Sequence, residues 1–394
     1  MSPRPTSRSA DIQRLRNEGY EVSVIDGHLV VSHVPYVTVD RQIAYGKLIS
    51  DLTLAGDVTT IPRDHVAYFA GDTPCDSEGR PMEGLINSRG EVQRSANLTA
   101  QFMFSHKPQA PAKYEDYFEK MTTYVAILLS QAQAIDPDAT AQTYAVTPED
   151  DVDSVFSYID TASTRAGIAA LSVKLELDRV SLVGLGGTGA YVLDLLAKTP
   201  IRELHLFDGD RFLQHNAFRA PGAASLADLT PQPFKVDYLT AQYGVMRKGI
   251  VAHASHVDAN NVQELEGSDF VFLSVDDGPA KKLIIEYLES AGIPFIDVGM
   301  GLYESGGKLG GLVRTTLSTN EPASRAAARA RISFEESNDI EYTSNIQIAD
   351  LNALNAALAV IKFKREIGFF HNNDDGLGSI FMIDSNTIVN EDDE

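Results

Sequence analysis

The amino-acid sequence predicts an α/β protein in which a domain with a mostly parallel sheet follows a smaller α+β domain. Two observations support this prediction: short apolar runs alternate with helical patterns after residue 165, and a polar run at 147–151 interrupts the chain before them. The 394 residues allow two or three domains, because one domain takes about 150 residues. We therefore predict an N-terminal domain over residues 1–160 and a second domain over residues 161–394.

The second half of the chain alternates apolar runs of strand length with amphipathic runs of helix length. Strands joined through helices form right-handed crossovers and a parallel sheet, whose ligands bind beyond the carboxyl ends of the strands. The residues that carry chemistry are therefore expected directly after the strands. The predicted strands are 179–183, 204–207, 250–252, 270–274 and 294–298, and the predicted helices are 190–198 and 279–290.

The N-terminal domain shows a mixed pattern. An Asp26-Gly27 pair between apolar residues predicts a hairpin with strands at 21–25 and 29–32. Apolar residues at helical spacing predict helices over 39–53 and 114–134. Residues 60–112 are rich in Gly, Pro, Asp and Ser, and we interpret them as loops over a small core.

Composition and charge exclude several classes of function. The chain has 33 Lys and Arg and 55 Asp and Glu, which gives a net charge of −22. This charge argues against a general nucleic-acid binder but allows a local basic pocket. The most apolar stretch, 346–361, is interrupted by polar residues and predicts a packed amphipathic helix, not a membrane span. Residues 1–16 have no apolar core like that of a secretory signal and read as a frayed basic tail, so we expect a cytoplasmic protein.

The chain has a single cysteine, Cys75, which excludes an intrachain disulfide and a cysteine-rich zinc site. Cys75 lies in a loop-like sequence ten residues after His65. Two interpretations stay open: a structural cysteine, or a thiol that accepts an acyl group during catalysis.

A glycine-rich run follows the first strand of the second domain. Gly184, Gly186 and Gly189 satisfy the GxGxxG pattern, and Gly187 adds a fourth glycine. Glycines allow the backbone to approach a phosphate, and the free N–H groups at the start of the next helix attract its charge. The order of strand, turn and helix therefore predicts a nucleotide site, and a tight strand–helix turn without a ligand is the alternative.

Charged side chains follow the next strands. Asp208 and Asp210 come at the end of the second strand, where a carboxylate can accept hydrogen bonds from a ribose. Hydride transfer does not require the second carboxylate or the Asn216 and Arg219 that follow, whereas a triphosphate site would use them. This difference favours ATP over a dinucleotide.

Two further positions complete the predicted site. Lys235, at the start of a later helical stretch, can supply a second cation, and Asp276 follows another strand at the same sheet edge and can hold Mg²⁺. The alternatives are a surface lysine for Lys235 and a turn or helix-cap residue for Asp276. We interpret Lys281 and Lys282 as a solvated helix face.

The ordered set of motifs from the glycine loop to Asp276 resembles the ThiF/MoeB/ubiquitin-activating superfamily over residues 163–320. The whole chain is similar to bacterial ThiF-type proteins with an extra N-terminal domain. The resemblance implies a Rossmann-like adenylation domain that uses ATP and Mg²⁺. The implied roles are ribose binding by Asp208, phosphate binding by Asn216, Arg219 and Lys235, and Mg²⁺ coordination by Asp276. Arg165 occupies roughly the place of an arginine that reaches the phosphates from the partner subunit of a homodimer.

The implied reaction is ATP-dependent adenylation of the C-terminal carboxylate of a ubiquitin-like protein. Activation would prepare that protein for transfer to a conjugating enzyme or another acceptor. The alternatives are activation of a sulfur-carrier protein, an NAD-dependent oxidoreductase, and a non-catalytic adaptor that binds nucleotide. The chain departs from the family pattern in having no cysteine after Cys75 and no paired CxxC motifs, which puts a thioester step in doubt.

Overall fold

A computed structural model describes residues 9–56, 58–108, 113–146, 154–166, 168–334, 346–373 and 376–391. The chain divides into two compact units. The first comprises Met1–Ser154 and Tyr158–Gly167, and the second comprises Val155–Ser157 and Ile168–Glu394.

The first unit is built on a six-stranded antiparallel sheet in the order β1-β2-β3-β6-β8-β7, and β4 pairs with β5 separately. Its strands are β1 (Glu21–Ile25), β2 (His28–Val37), β3 (Ile43–Asp51), β4 (Leu54–Ala55), β5 (Val58–Thr59), β6 (Val66–Ala70), β7 (Ile86–Ser95) and β8 (Leu98–Ser105). Its helices are α1 (Ala10–Asn17), α2 (Tyr117–Gln133) and α3 (Thr161–Arg165).

The core of this unit lies between α2 and the sheet. Tyr117 and Tyr124 on the helix are buried with Phe69 and Phe104 on the strands, so aromatic side chains supply much of the apolar area. The side chain of Asp116 accepts the backbone N–H of Glu119 and caps the start of α2. The predicted hairpin at Asp26-Gly27 and the predicted helix over 114–134 are confirmed.

Three predictions for the first unit are wrong. Residues 43–51 of the predicted helix over 39–53 form strand β3, where burial alternates through exposed Tyr45, buried Gly46, exposed Lys47 and buried Leu48. That period of two fits a strand with a partner on each side. Residues 60–112 contain β6, β7 and β8. The predicted basic tail contains α1, where Ile12 is fully buried.

The second unit contains an eight-stranded sheet in the order β11-β10-β9-β12-β13-β14-β15-β16. The pairs from β11 to β13 are parallel and the pairs from β13 to β16 are antiparallel, so the predicted α/β class is confirmed. The strands are β9 (Arg179–Val183), β10 (Glu203–Phe207), β11 (Ile250–His253), β12 (Phe270–Leu273), β13 (Phe295–Ser305), β14 (Lys308–Ser318), β15 (Gly378–Met382) and β16 (Thr387–Glu391).

Helices connect and cover these strands. Helix α9 (Gly278–Ala291) follows its N-cap residue Asp277, whose side chain accepts the N–H of Ala280. The helix ends at Gly292, which has a left-handed conformation. The helices are α4 (Ala169–Ser172), α5 (Gly187–Leu196), α6 (Gln214–Ala217), α7 (Leu226–Leu229), α8 (Lys235–Gly244), α9 (Gly278–Ala291), α10 (Pro322–Arg331) and α11 (Ala349–Glu366). Within the described ranges no helix has the length and apolarity that crossing a membrane requires.

The sheet order places a crevice beside β9. From β9 the chain moves to β10 and β11 on one side and then returns to β12 on the other side. Connections leave in opposite directions at such a switch point, and a crevice opens beyond the carboxyl ends of the two strands. The glycine-rich run begins directly after β9, so it lies at this crevice.

Candidate nucleotide site

The glycine loop joins β9 to α5 and is shaped by contacts within the protein. Gly184 has a φ of +86°, and a Cβ atom there would lie 2.4 Å from the carbonyl oxygen of Ser274. The Ser274 hydroxyl donates a 2.6 Å hydrogen bond to the carbonyl of Gly184. A Cβ at Gly189 would lie 2.0 Å from the same Gly184 oxygen. These two glycines are therefore required by the fold of the loop itself.

Gly186 and Gly187 differ from each other in their surroundings. A Cβ at Gly187 would lie 1.9 Å from Nδ2 of Asn352 on α11, so this glycine allows two helices to approach. A Cβ at Gly186 would meet only Oε1 of Gln347, at 4.0 Å, so a side chain there would not clash. Gly186 is the N-cap of α5, where the helix presents free N–H groups. Such a helix N-terminus is where an anionic group can bind.

Asp208 holds the loop through its side chain. Its Oδ2 accepts the backbone N–H of Leu185 at 2.7 Å, and its Oδ1 accepts the N–H of Asp210 at 2.8 Å. Asp208 is only 5% exposed. The third contact is with Lys235, whose Nζ lies 3.3 Å from Oδ2. An ionised carboxylate has about four acceptor positions, so one position is left for a further donor.

Lys235 is the first residue of α8 and lies between two carboxylates. Its Nζ is 2.6 Å from Oδ2 of Asp210, in addition to the contact with Asp208. The hydrogen bond from Lys235 lowers the pKa of the Asp210 carboxyl, and the nearby charges of Lys235, His256 and Arg219 lower it further. Asp210 is more accessible than Asp208, since 57% of its side chain is exposed.

Asn216 and Arg219 lie on and just after α6. Oδ1 of Asn216 accepts the N–H of Leu213 at 2.8 Å, which closes the start of that short helix. Asn216 is buried, and its carbonyl accepts the N–H of Arg219 at 3.1 Å. Nε of Arg219 is buried without a hydrogen-bond partner among the described residues. Arg219 therefore has an unused donor in the neighbourhood of Asp210.

Asp276 is exposed in the turn between β12 and α9, two residues after Ser274. Over the residues that the structure describes, no three His, Cys, Asp or Glu side chains are arranged to hold a metal ion. Mg²⁺ in nucleotide sites is typically held by one or two carboxylates together with phosphate oxygens. Asp276, an exposed carboxylate two residues after the Ser274 that bonds to the loop, fits that kind of site.

The structure thus brings the loop glycines together with Asp208, Asp210, Lys235 and Arg219 at one sheet edge, with Asn216 supporting Arg219. Arg165 is the last residue of α3 in the first unit, and its side chain lies outside the described part of the chain. Sequence reasoning did not identify Ser274 or Asn352. Ser274 could have been found as a polar residue directly after β12, whereas Asn352 gives no such signal.

Cys75 has the environment of a structural cysteine. It is 1% exposed, its Sγ donates to the carbonyl of Thr73 at 3.4 Å, and burial raises the pKa of the thiol. His65 bonds instead to Ser105, with 3.0 Å between Nε2 and Oγ. A thiolate that reacts needs a lowered pKa and access, and Cys75 has neither.

The prediction that Lys281 lies on a solvated face of α9 is wrong. Its Nζ lies 3.0 Å from Oδ1 of Asp297, a fully buried carboxylate on β13 that also contacts Arg314 at 2.8 Å. Lys282 is exposed as expected. A buried carboxylate needs paired cations, which explains why Lys281 turns inward.

Comparisons with known proteins agree with the two-unit organisation of the chain. A domain of unknown function, DUF6791, matches residues 10–161, and the ThiF family matches residues 169–363. No curated protein matches the chain.

Several crystal structures are similar to part of the chain. PaaA is 18% identical with a TM-score of 0.44, over 56% of this chain and 75% of PaaA. MccB of E. coli is 18% identical with a TM-score of 0.45, over 59% of this chain and 67% of MccB. MccB crystallised with ATP is 18% identical with a TM-score of 0.43, over 59% of this chain and 69% of that chain.

Proposed function

The chain belongs to the ThiF family through residues 169–363, and we propose that this domain uses ATP to adenylate the C-terminal carboxylate of a ubiquitin-like protein. The activated protein is then passed to a conjugating enzyme or another acceptor in a bacterial pathway. We favour this assignment over sulfur-carrier activation because the chain has an extra N-terminal domain, for which we propose a role in docking the second protein.

The observation that carries the proposal is the N-terminus of α5 at Gly186. The other three glycines of the loop are needed by contacts within the protein, whereas a Cβ at Gly186 would meet only Oε1 of Gln347, at 4.0 Å. A phosphate placed there would meet free N–H groups and the positive end of the helix dipole.

Two positively charged side chains joined to the loop through its hydrogen-bond partners suit a triphosphate. Arg219 has a buried Nε with no hydrogen-bond partner among the described residues, and Lys235 carries a second positive charge. An oxidoreductase that transfers hydride would leave these two cations without a joint role. The remaining acceptor position on Asp208 suits one ribose hydroxyl.

In the proposed reaction, an oxygen of the ionised C-terminal carboxylate of the ubiquitin-like protein attacks the α-phosphorus of ATP. A bond forms between them, the bond from that phosphorus to the bridging oxygen breaks, and pyrophosphate leaves with the electron pair. No general base is needed, because a C-terminal carboxylate is already ionised at neutral pH. The protein must overcome the repulsion between two anions, and Arg219 and Lys235 supply the positive charge.

Asp276 is the residue proposed to hold Mg²⁺, which would neutralise charge on the departing pyrophosphate. Its place in the turn after β12 puts the carboxylate near the loop that Ser274 ties to Gly184. Asp276→Ala is expected to abolish pyrophosphate release without unfolding the protein, since the side chain is exposed.

The direct test identifies the products. The full chain is incubated with labelled ATP, Mg²⁺ and the fraction of small proteins from its source organism, with and without carboxypeptidase treatment of that fraction. The proposal predicts pyrophosphate and a small protein that carries AMP on its C-terminal carboxylate, both lost after carboxypeptidase treatment and with Asp276→Ala. Formation of ADP and phosphate, or product formation that survives Asp276→Ala, would contradict it.

The role of Arg165 is tested by complementation. If Arg165 reaches the phosphates of a partner subunit in a homodimer, Arg165→Ala and Arg219→Ala are each inactive alone. A mixture then regains activity, because mixed dimers contain one site with both arginines. No recovery after subunit exchange would show that Arg165 does not act across a dimer.

A further inference from the structure

Asn352, at the start of α11, joins two segments that flank the glycine loop. Its Nδ2 donates to the backbone carbonyl of Arg219 at 3.3 Å, and its Oδ1 accepts the hydroxyl of Thr188 at 2.9 Å. A carbonyl oxygen can only accept, so the amide nitrogen must face Arg219 and the amide oxygen must face Thr188. The partners therefore determine the orientation of this side chain.

The contact is buried and close. Asn352 is 1% exposed, and a Cβ at Gly187 would lie 1.9 Å from its Nδ2 and 2.4 Å from its Cγ. Gly187 and Thr188 lie in the first turn of α5, so Asn352 packs directly on the N-terminal end of this helix, next to its N-cap Gly186. A hydrogen-bonded amide at such a position is costly to lose, because both partners would be left unsatisfied.

The backbone of Arg219 is held at both its polar groups. Its N–H donates to the carbonyl of Asn216, and its carbonyl accepts from Asn352. The side chain, by contrast, keeps a buried Nε without a partner among the described residues. The Arg219 backbone is therefore fixed, while its guanidinium keeps a donor for a ligand. This arrangement is expected of a preorganised binding residue.

We propose that Asn352 is a positioning residue that holds Arg219 in register with the first turn of α5, so that both act on the same phosphate groups. This inference rests on the proposed function, since it assigns Asn352 to the ATP site. Asn352 does not touch the nucleotide. It acts through the Arg219 peptide and through Thr188.

The inference separates phosphate binding from binding of the rest of the nucleotide. Asn352→Leu keeps a similar volume but removes both hydrogen bonds. Misplacing Arg219 should weaken its charge-assisted hydrogen bonds to phosphate, so we expect the Kd for ATP to rise about tenfold or more. Adenosine has no phosphate and makes no such contact, so its Kd should stay within about twofold of the wild type.

Asn355 supplies a matched control on the same helix. It is also 1% exposed, and its Nδ2 donates to the carbonyl of Gly299 at 3.0 Å, but no described hydrogen bond joins it to the loop or to Arg219. Asn355→Leu removes a comparable buried amide, so it reports the general loss of stability. Its Kd for ATP should stay near that of the wild type.

The experiment is calorimetric titration of the full-length wild type, Asn352→Leu and Asn355→Leu with ATP and with adenosine. If Asn352→Leu does not fold, Thr188→Val removes one of the two hydrogen bonds and is titrated in its place. Selective loss of ATP affinity in the Asn352 or Thr188 variant supports the inference. Equal loss of ATP and adenosine affinity, or the same ATP affinity as Asn355→Leu, overturns it. A wild type that binds ATP no more tightly than adenosine contradicts the proposed function itself.

Discussion

Asp208 and Leu185 are joined by a hydrogen bond in which the buried carboxylate accepts the backbone N–H at 2.7 Å. The sequence predicts Asp208 as a ribose ligand, and in the structure its carboxylate also stabilises the glycine loop. Leu185 lies between two of the loop glycines, so the loop has a defined shape before any nucleotide binds. Such preorganisation reduces the conformational cost of binding.

Asp208→Ala should destabilise the second unit by about 3 kcal/mol, because it leaves the backbone N–H groups of Leu185 and Asp210 without their acceptor. The change is measured as the free energy of unfolding in urea. Asp210→Ala is the control, since 57% of the Asp210 side chain is exposed, and it should cost less than about 1 kcal/mol. Equal costs for the two variants would contradict this account of the loop.

Two glycines of the loop should respond in opposite ways to alanine. Gly184→Ala forces a side chain onto a φ of +86° and onto the carbonyl of Ser274, which should cost more than about 2 kcal/mol of stability. Gly186→Ala adds a methyl group that would meet only Oε1 of Gln347, at 4.0 Å, and should cost less than about 1 kcal/mol. Its methyl group should nevertheless weaken ATP binding about tenfold, a loss of roughly 1.4 kcal/mol. Unchanged ATP affinity in Gly186→Ala would place the phosphates elsewhere.

Arg247 is predicted to be important for folding and not for the reaction. It is 1% exposed and donates to backbone carbonyls near the end of α5, including that of Thr199 at 3.3 Å and that of Ile201. Arg247→Met should cost about 3 kcal/mol, because these carbonyls lose their donors. Arg202→Ala, which removes an exposed ion pair with Asp178, should cost less than about 1 kcal/mol in the same unfolding assay.

Cys75 should resist alkylation in the folded protein. Burial raises the pKa of its thiol, so the reactive thiolate is scarcer at pH 8 than in an unfolded chain, and access is blocked as well. We expect iodoacetamide to label Cys75 only after denaturation, as measured by mass spectrometry. Cys75→Ser should keep full adenylation activity. Rapid labelling of the native protein would reopen the interpretation of Cys75 as an acyl acceptor.

The central part of the second unit could be predicted closely. Strand β9 has the predicted bounds, because a short run of buried apolar residues is bounded by polar residues and glycine. Helix α5 begins three residues earlier than predicted. Its first turn contains two glycines with low helix propensity, and it is stabilised by packing on Asn352, a contact that no local pattern reveals.

Contacts between distant parts of the chain explain most of what could not be predicted. The Thr188–Asn352 and Ser274–Gly184 hydrogen bonds join residues that only the folded sheet and helices bring together. Lys281 has the sequence context of a surface lysine. Its ion pair with the buried Asp297 on β13 is seen only in the folded structure. The strand at 43–51 was missed because apolar residues on both of its faces resemble a helical pattern.

The most direct measurement of the central claim is calorimetric titration of the full-length protein with ATP and with NAD, repeated with Arg219→Ala. An ATP site at the crevice beside β9 predicts binding of ATP and little or no binding of NAD. It also predicts that Arg219→Ala lowers the ATP affinity about tenfold or more, as expected for loss of a charge-assisted phosphate contact. Preferential binding of NAD, or an ATP affinity that Arg219→Ala leaves unchanged, would contradict it.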